Sequence, residues 1–212
     1  MQNLIEYEIR KTPTNAWGLT NGFSIAPRFD DNADWTDMCN KCTRKYKPFS
    51  EANRDEMAKK VEPWMRLIVE IGVSRDGWEE SSTKVLVDNK HPDCHCLGID
   101  IEDRSWIKPK GTNIDFICGS SWNVDAILKE LSDRGYHNID FLHIDGDHSV
   151  NAVTLEWNYA KLVSKNGIIA LHDTNFHPGP WCLVESVDRE LFDVEKTCVS
   201  FDDYGLAFLR KL

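Results

Sequence analysis

Five short apolar runs recur through the middle of this chain, and each ends on a glycine or a polar residue. They are Leu67–Ile71 ahead of Gly72, Cys94–Ile101 with Asp100 near its end, Asn113–Cys118 ahead of Gly119, Ile139–Ile144 ahead of Asp145, and Gly167–Leu171 ahead of His172 and Asp173. Runs of this length and composition predict strands. The intervals between them carry helix signals. Ser81–Asn89 has Ser81 or Ser82 as its cap, Val124–Arg134 has Gly135 as its stop, and Ser149–Ser164 places Leu155, Tyr159, Leu162 and Val163 at helical spacing. Strands alternating with helices predict an α/β fold, a parallel sheet with helices on both faces. A helix at Leu183–Leu191 and strands at Phe192–Val199 and Tyr204–Arg210 close the chain. The link between those two strands is too short for a parallel crossover, so they predict an antiparallel hairpin at the sheet edge. The sum is a seven-stranded, mostly parallel sheet with an antiparallel C-terminal hairpin.

The first 49 residues read differently. Pro13, Gly18, Gly22, Pro27 and Pro48 punctuate them, Asp30, Asp31, Asn32 and Asp34 form a turn-rich acidic patch, and no period persists. They predict an irregular N-terminal extension with one short helix around Trp35–Lys41. Ser50 caps a helix over Glu51–Val61, which Pro63 closes. The expected division is an extension with its lead-in helix at 1–62 and the sheet domain at 63–212.

Charge and composition narrow the partners. Lys and Arg total 25 against 35 Asp and Glu, a formal net charge of −10. A nucleic-acid partner usually needs a clustered basic face, and the densest basic run, Lys41–Lys47, is short, so no nucleic acid is expected. No apolar run approaches the roughly 20 residues that span a bilayer, so no membrane is expected either. Met1–Arg10 carries Glu6 and Glu8 and does not resemble a signal peptide. The seven cysteines, an odd number, read as reduced thiols of a cytoplasmic protein. The oligomeric state is left open.

In an open parallel sheet, ligands bind at the carboxyl ends of the strands. Glu70 and Gly72, Asp100, Gly119 with Ser120 and Ser121, Asp145 with Asp147 and His148, and His172 with Asp173 and Asn175 all fall there. Two uses of such a rim are open. The first is a nucleoside: an acidic residue ending the second strand can accept both ribose hydroxyls, and the missing G-x-G-x-x-G pattern disfavours a pyrophosphate. A cationic, phosphate-free nucleoside such as S-adenosylmethionine suits an acidic rim. The second is a divalent metal. Asp145 and Asp173 offer hard oxygens suited to magnesium, calcium or manganese, with Asn175 or Thr174 adding a neutral oxygen. The same carboxylates could instead cap the helix at Ser149 and a turn.

Other groupings carry less. Cys39 and Cys42 form a C-x-x-C pair, and His91, Cys94, His95 and Cys96 a second cluster. Their spacing fits no common zinc module, and free thiols are expected. His143 and His172 read as packed or supporting histidines.

Four segments in order carry a family resemblance: Leu67-Ile-Val-Glu-Ile-Gly-Val73, Gly98-Ile-Asp-Ile101, Phe141-Leu-His-Ile-Asp-Gly-Asp-His-Ser149 and Lys165-Asn-Gly-Ile-Ile-Ala-Leu-His-Asp173. They resemble class I S-adenosylmethionine-dependent methyltransferases, and within them the branch with I-D-G-D-H-S and a later H-D, which holds sugar and small-molecule O-methyltransferases, some magnesium-dependent. The resemblance spans about Leu67–Asn175. It implies a Rossmann-like fold and transfer of a methyl group to a hydroxyl of a small polar acceptor, such as a sugar. It implies a cofactor set of Glu70, Gly72, Ser74, Asp100, Ile101, Gly119, Ser120, Ser121, Trp122 and Asp145. Glu70 and Gly72 would lie beside the methionine part, Asp100 at the ribose, and Ser120, Ser121 and Trp122 near the adenine. It implies Asp145 and Asp173 as metal ligands with Asn175 as a third, for Mg2+ or another divalent cation. His148 and Asp147 are the candidate general bases. The chain departs from the pattern at an insertion near Asp76–Glu80 and at Thr174, where metal-dependent relatives often carry a second acid or amide. A metal-independent methyltransferase, or a non-catalytic nucleoside-binding module, would use the same fold. The extension is expected to cover the acceptor.

Overall fold

A computed structural model describes residues 7–11, 23–27, 49–73, 77–175, 177–198 and 203–212. The expected helix at Trp35–Lys41, the Cys39/Cys42 pair, Ser74 and the acidic patch lie outside them. The N-terminal segment corrects one expectation. Where no period was read, β1 (Tyr7–Lys11) pairs antiparallel with β2 (Phe23–Pro27).

The other strands form one sheet. They are β3 (Leu67–Ile71), β4 (His95–Asp100), β5 (Ile114–Cys118), β6 (Ile139–Ile144), β7 (Val163–His172), β8 (Phe192–Thr197) and β9 (Leu206–Lys211), in spatial order β5-β4-β3-β6-β7-β9-β8. The first five run parallel, and β9 joins β7 and β8 antiparallel, as expected. The order reverses between β3 and β6, which opens a crevice at their carboxyl ends. β3 and β6 are buried along their whole length, because both sheet faces are covered.

Among the described residues, five α-helices surround the sheet: α1 (Glu51–Lys60), α2 (Ser82–Asn89), α3 (Val124–Asp133), α4 (Val150–Glu156) and α5 (Pro178–Ser186). Ser50, Ser81 and Ser149 each cap a helix through a side-chain oxygen that accepts a backbone N–H. One core cluster joins Val69, Ile71, Leu142, Ile144, Val153 and Ile169. The other joins Phe49 and Met57 to Ile68, Phe141 and Phe208, so α1 is packed into the body of the sheet.

Two expectations are corrected here. The helix read over Ser149–Ser164 ends as α4 at Glu156, passes through a 3-10 turn at Trp157–Leu162, and gives way to β7 at Val163. The β-branched Val163 was counted into the helical period although it begins a strand. The last helix lies at Pro178–Ser186 rather than Leu183–Leu191, because Pro178 supplies a helix start at its first position.

Candidate active site

Gly72 fixes the geometry of the crevice. Its φ is +83°, and a Cβ there would strike the Asp145 carbonyl and Gly146 Cα. Only glycine lets the turn after β3 lie directly against the turn after β6. The Asp145 N–H donates to the Ile71 carbonyl at 2.8 Å and locks the two turns together.

Beyond this contact lies a cluster of two carboxylates and three imidazoles. His172 Nδ1 sits 3.2 Å from Asp145 Oδ1 and 3.2 Å from Asp173 Oδ1. His148 Nε2 lies 2.8 Å and His177 Nε2 3.8 Å from Asp173 Oδ2. Asp173 adopts a left-handed φ of +61°, unusual for a residue with a side chain. His172 and Asp173 are buried, and Asp145 and His148 are half-buried at the rim. Burial opposes charge on His148, but the adjacent Asp173 carboxylate outweighs it and lifts the pKa to about 9. His172 follows the same pattern, lifted to about 9 by Asp173 and Asp145 against the effect of burial. Burial opposes charge on Asp145 and Asp173 too, and His172 reverses it, aided at Asp173 by His148, holding both below the usual range. Burial dominates at His177 and depresses it to about 4.

The predicted metal set is thus only partly assembled. Asp145 and Asp173 converge, with His172 as the third potential ligand. Asn175 turns elsewhere: its Nδ2 donates to the Cys198 and Asp203 carbonyls, and its Cγ lies where a Cβ on Gly205 would fall. Of the two candidate bases, His148 faces Asp173, whereas exposed Asp147 accepts the Ser149 N–H at 2.7 Å as a turn cap.

Glu70 is placed differently from the expected methionine contact. Ser82 and Thr83 donate their hydroxyls to its two oxygens, and His143 Nδ1 lies 3.0 Å from Oε1. Its carboxylate anchors the start of α2 to β3 and is shut off from the rim. Asp100 accepts the Val73 N–H at 3.0 Å and the Glu102 N–H at 2.9 Å, and Arg104 Nε lies 3.4 Å away. A carboxylate has about four acceptor positions, so capacity for hydroxyl donors is left. Ile101, the next residue in the chain, is 70% exposed, and Trp122, after β5, is 49% exposed, apolar surface on which a flat heterocycle can lie. Gly119 donates its N–H to the Asp100 carbonyl, and Ser120 Oγ accepts the Trp122 N–H. Ser121 Oγ donates to buried Glu156, whose pKa burial raises to about 7.

Sequence reasoning missed four residues here. His177 stands four after Asp173, a spacing that could have been noticed. Arg104 stands four after Asp100. Asn53 and Asp203 reach the site from α1 and the β8–β9 link: Asn53 Nδ2 lies 3.5 Å from His172 Nε2 and donates to Asp203 Oδ1 at 3.1 Å. No local pattern connects residues so distant in sequence. The zinc grouping is not assembled among the described residues. Cys94 and Cys96 are buried free thiols with raised pKa values, Cys94 to about 11 through burial.

The sheet order, the turn at Gly72 and the acid-ended strands define a class I S-adenosylmethionine-dependent methyltransferase. The rhamnosyl O-methyltransferase/CmcI family matches residues 38–193, and the chain belongs to that family. Among curated proteins none matches the chain. Solved structures share the fold. A putative caffeoyl-CoA O-methyltransferase from Staphylococcus aureus is 12% identical, with 85% of this chain and 93% of that one covered and a TM-score of 0.54. CalS11, a calicheamicin methyltransferase, is 11% identical, with 85% and 94% covered and a TM-score of 0.54. MycE, a methyltransferase of the mycinamycin biosynthetic pathway in complex with Mg and S-adenosylhomocysteine, is 18% identical over 87% of this chain, with a TM-score of 0.49; this chain spans 51% of its length. No helix among the described residues is long and apolar enough to cross a membrane.

Proposed function

We propose that this protein transfers a methyl group from S-adenosylmethionine to a hydroxyl of a small polar acceptor, such as a sugar, with help from a divalent cation. One observation carries the proposal. Asp145, His172, Asp173 and His148 meet at the ends of two adjacent strands, beside the glycine turn. Membership of an O-methyltransferase family supports the acceptor class.

The cofactor supplies an electrophilic sulfonium methyl, and a cation at Asp145, His172 and Asp173 would lower the acceptor hydroxyl's pKa. The donor set suits a hard or borderline divalent ion, since it combines two carboxylates and one imidazole. The chain's own groups do the rest. Asp100 binds the ribose hydroxyls, Ile101 and Trp122 flank the adenine, and the Gly72 turn gives the methionine part close backbone access. In-line displacement demands alignment, and rigid strand ends supply it. In its neutral form His148 takes the acceptor proton at Nδ1, because Nε2 is held against Asp173 Oδ2, and Asp173 orients the ring and stabilises the charge it gains. The acidic rim favours the cationic cofactor over its neutral product.

The test is turnover with sugar acceptors before and after exhaustive chelation. Activity lost on chelation and restored by Mg2+ or Mn2+ is the expected result. Undiminished turnover in fully metal-free protein would leave the metal-independent reading, with His148 as base and Asp145 serving the cofactor.

A further inference from the structure

The Asp173 carboxylate faces two different sets of partners. Oδ1 faces Asp145 and His172, whereas Oδ2 faces His148 and His177. The second set takes no part in the ligand group invoked above, and His177 has had no role at all.

Its geometry is built rather than incidental. The His148 and His177 rings stack with centroids 4.5 Å apart and planes 25° from parallel. Both Nε2 atoms are directed at the same carboxylate oxygen, at 2.8 and 3.8 Å. Ligand atoms about 2.1 Å from a common ion stand roughly 3.0–3.4 Å apart, and these distances bracket that range. Backbone contacts fix the three residues relative to one another. His177 donates its N–H to the Asp173 carbonyl at 3.0 Å, and Gly179 donates its N–H to the His148 carbonyl at 3.0 Å. Gly179 is required for this approach, since a Cβ there would lie 2.5 Å from the carbonyl oxygens of both His148 and Ser149. The turn before α4 and the start of α5 are thereby held together with their imidazoles side by side. Two stacked imidazoles gain little from sharing one carboxylate as hydrogen-bond donors. As lone-pair donors, all three groups can serve one ion.

We infer that His148 Nε2, Asp173 Oδ2 and His177 Nε2 form a second, nitrogen-rich cation site that takes a borderline divalent transition ion such as Zn2+ or Cu2+. Two imidazoles and one carboxylate favour such ions over Mg2+, which prefers oxygen and retains its waters. The inference goes beyond the methyl-transfer proposal, because the ligand set stands whether or not a hard ion occupies Asp145, His172 and Asp173. Where both hold, an ion on His148 Nε2 displaces the hydrogen bond to Asp173 and lowers the basicity of Nδ1, so occupancy opposes turnover.

The test uses metal-free full-length protein, with Zn2+ affinity from calorimetry and Cu2+ coordination from electron paramagnetic resonance. The variants are His177→Gln and Asp145→Asn, each checked for an unchanged thermal midpoint, with His148→Gln as a second ligand variant should His177→Gln fail to fold. Wild type is expected to bind Zn2+ and to show hyperfine splitting from two imidazole nitrogens with Cu2+. His177→Gln should lose one nitrogen and at least about tenfold in Zn2+ affinity, the lower end of what even an outer-shell partner contributes. Asp145→Asn should retain both nitrogens. Unchanged Zn2+ affinity in His177→Gln, loss confined to Asp145→Asn, or no binding by the wild type would each overturn the inference. Mg2+-dependent turnover, measured separately, reports on the methyl-transfer proposal alone.

Discussion

Two carboxylate–histidine groups lie within a few residues of each other in this sheet, and they are built for opposite purposes. At Glu70, two hydroxyls and the His143 ring close around a carboxylate whose side chain is only 3% exposed. At Asp145 and Asp173, the side chains at the carboxylate oxygens among the described residues are imidazoles, and the Asp145 side chain is 21% exposed. Hydroxyl donors from a helix start cannot be exchanged without moving the helix. Protons on imidazoles at a rim can be exchanged for a cation or for an acceptor's proton. The type of partner and its access to solvent, rather than the carboxylate itself, separate a structural anchor from a reactive site.

The largest effects should therefore fall on the rim. His148→Gln is expected to slow methyl transfer by about 100-fold or more, the usual worth of a positioned general base. Its affinity for S-adenosylhomocysteine should stay close to that of the wild type. Parallel turnover and calorimetric measurements check both, and an unimpaired rate would remove His148 from the chemistry.

Asp100→Ala should act on binding instead. Losing charge-assisted hydrogen bonds to the ribose is expected to weaken cofactor affinity by about 10–100-fold. Equal affinity in variant and wild type would refute the ribose assignment.

Glu70→Gln tests the other side of the comparison. It leaves the shape of the anchor but disturbs its charged hydrogen bonds, and should cost about 1–3 kcal/mol of stability in urea unfolding. Turnover of the folded fraction should change little. A large loss of turnover at unchanged stability would place Glu70 in the reactive site after all.

A further effect is a pH dependence of the metal-free protein. His148 and His172 have folded pKa values of about 9, above the ordinary value of 6.5. Their contribution to stability is complete below pH 6.5 and is lost as pH rises through 9. His177, depressed to about 4, contributes above pH 6.5 and loses that contribution as pH falls towards 4. Thermal midpoints should peak near pH 6.5, decline on both sides, and lose the alkaline decline in a His148→Gln, His172→Gln double variant.

Much of the sheet was legible because its signals are local. Each parallel strand carries a short apolar run, and Ser50, Ser81 and Ser149 announce their helices. The errors came where one residue served two periods, as at Val163, or where the N-terminal strands lacked a pattern. The site was legible as a set of strand ends, but not as a set of contacts. Asp145, Asp173 and His148 could be named because the fold brings strand ends together. That Glu70 turns into the sheet, that Asn175 faces the β8–β9 link, and that His177 replaces it beside Asp173 depend on side-chain direction. Asn53 and Asp203 reach His172 from opposite ends of the chain, which no motif records.

The account rests most on the rim being a cofactor site. Calorimetric titration with S-adenosylhomocysteine tests this directly, using wild type, Asp100→Ala and His148→Ala. Saturable binding by wild type and His148→Ala, weakened in Asp100→Ala, is the predicted result. Absence of binding by the wild type at ligand concentrations up to about 1 mM would contradict it, since a site with so weak an affinity gains only about 4 kcal/mol from its ligand.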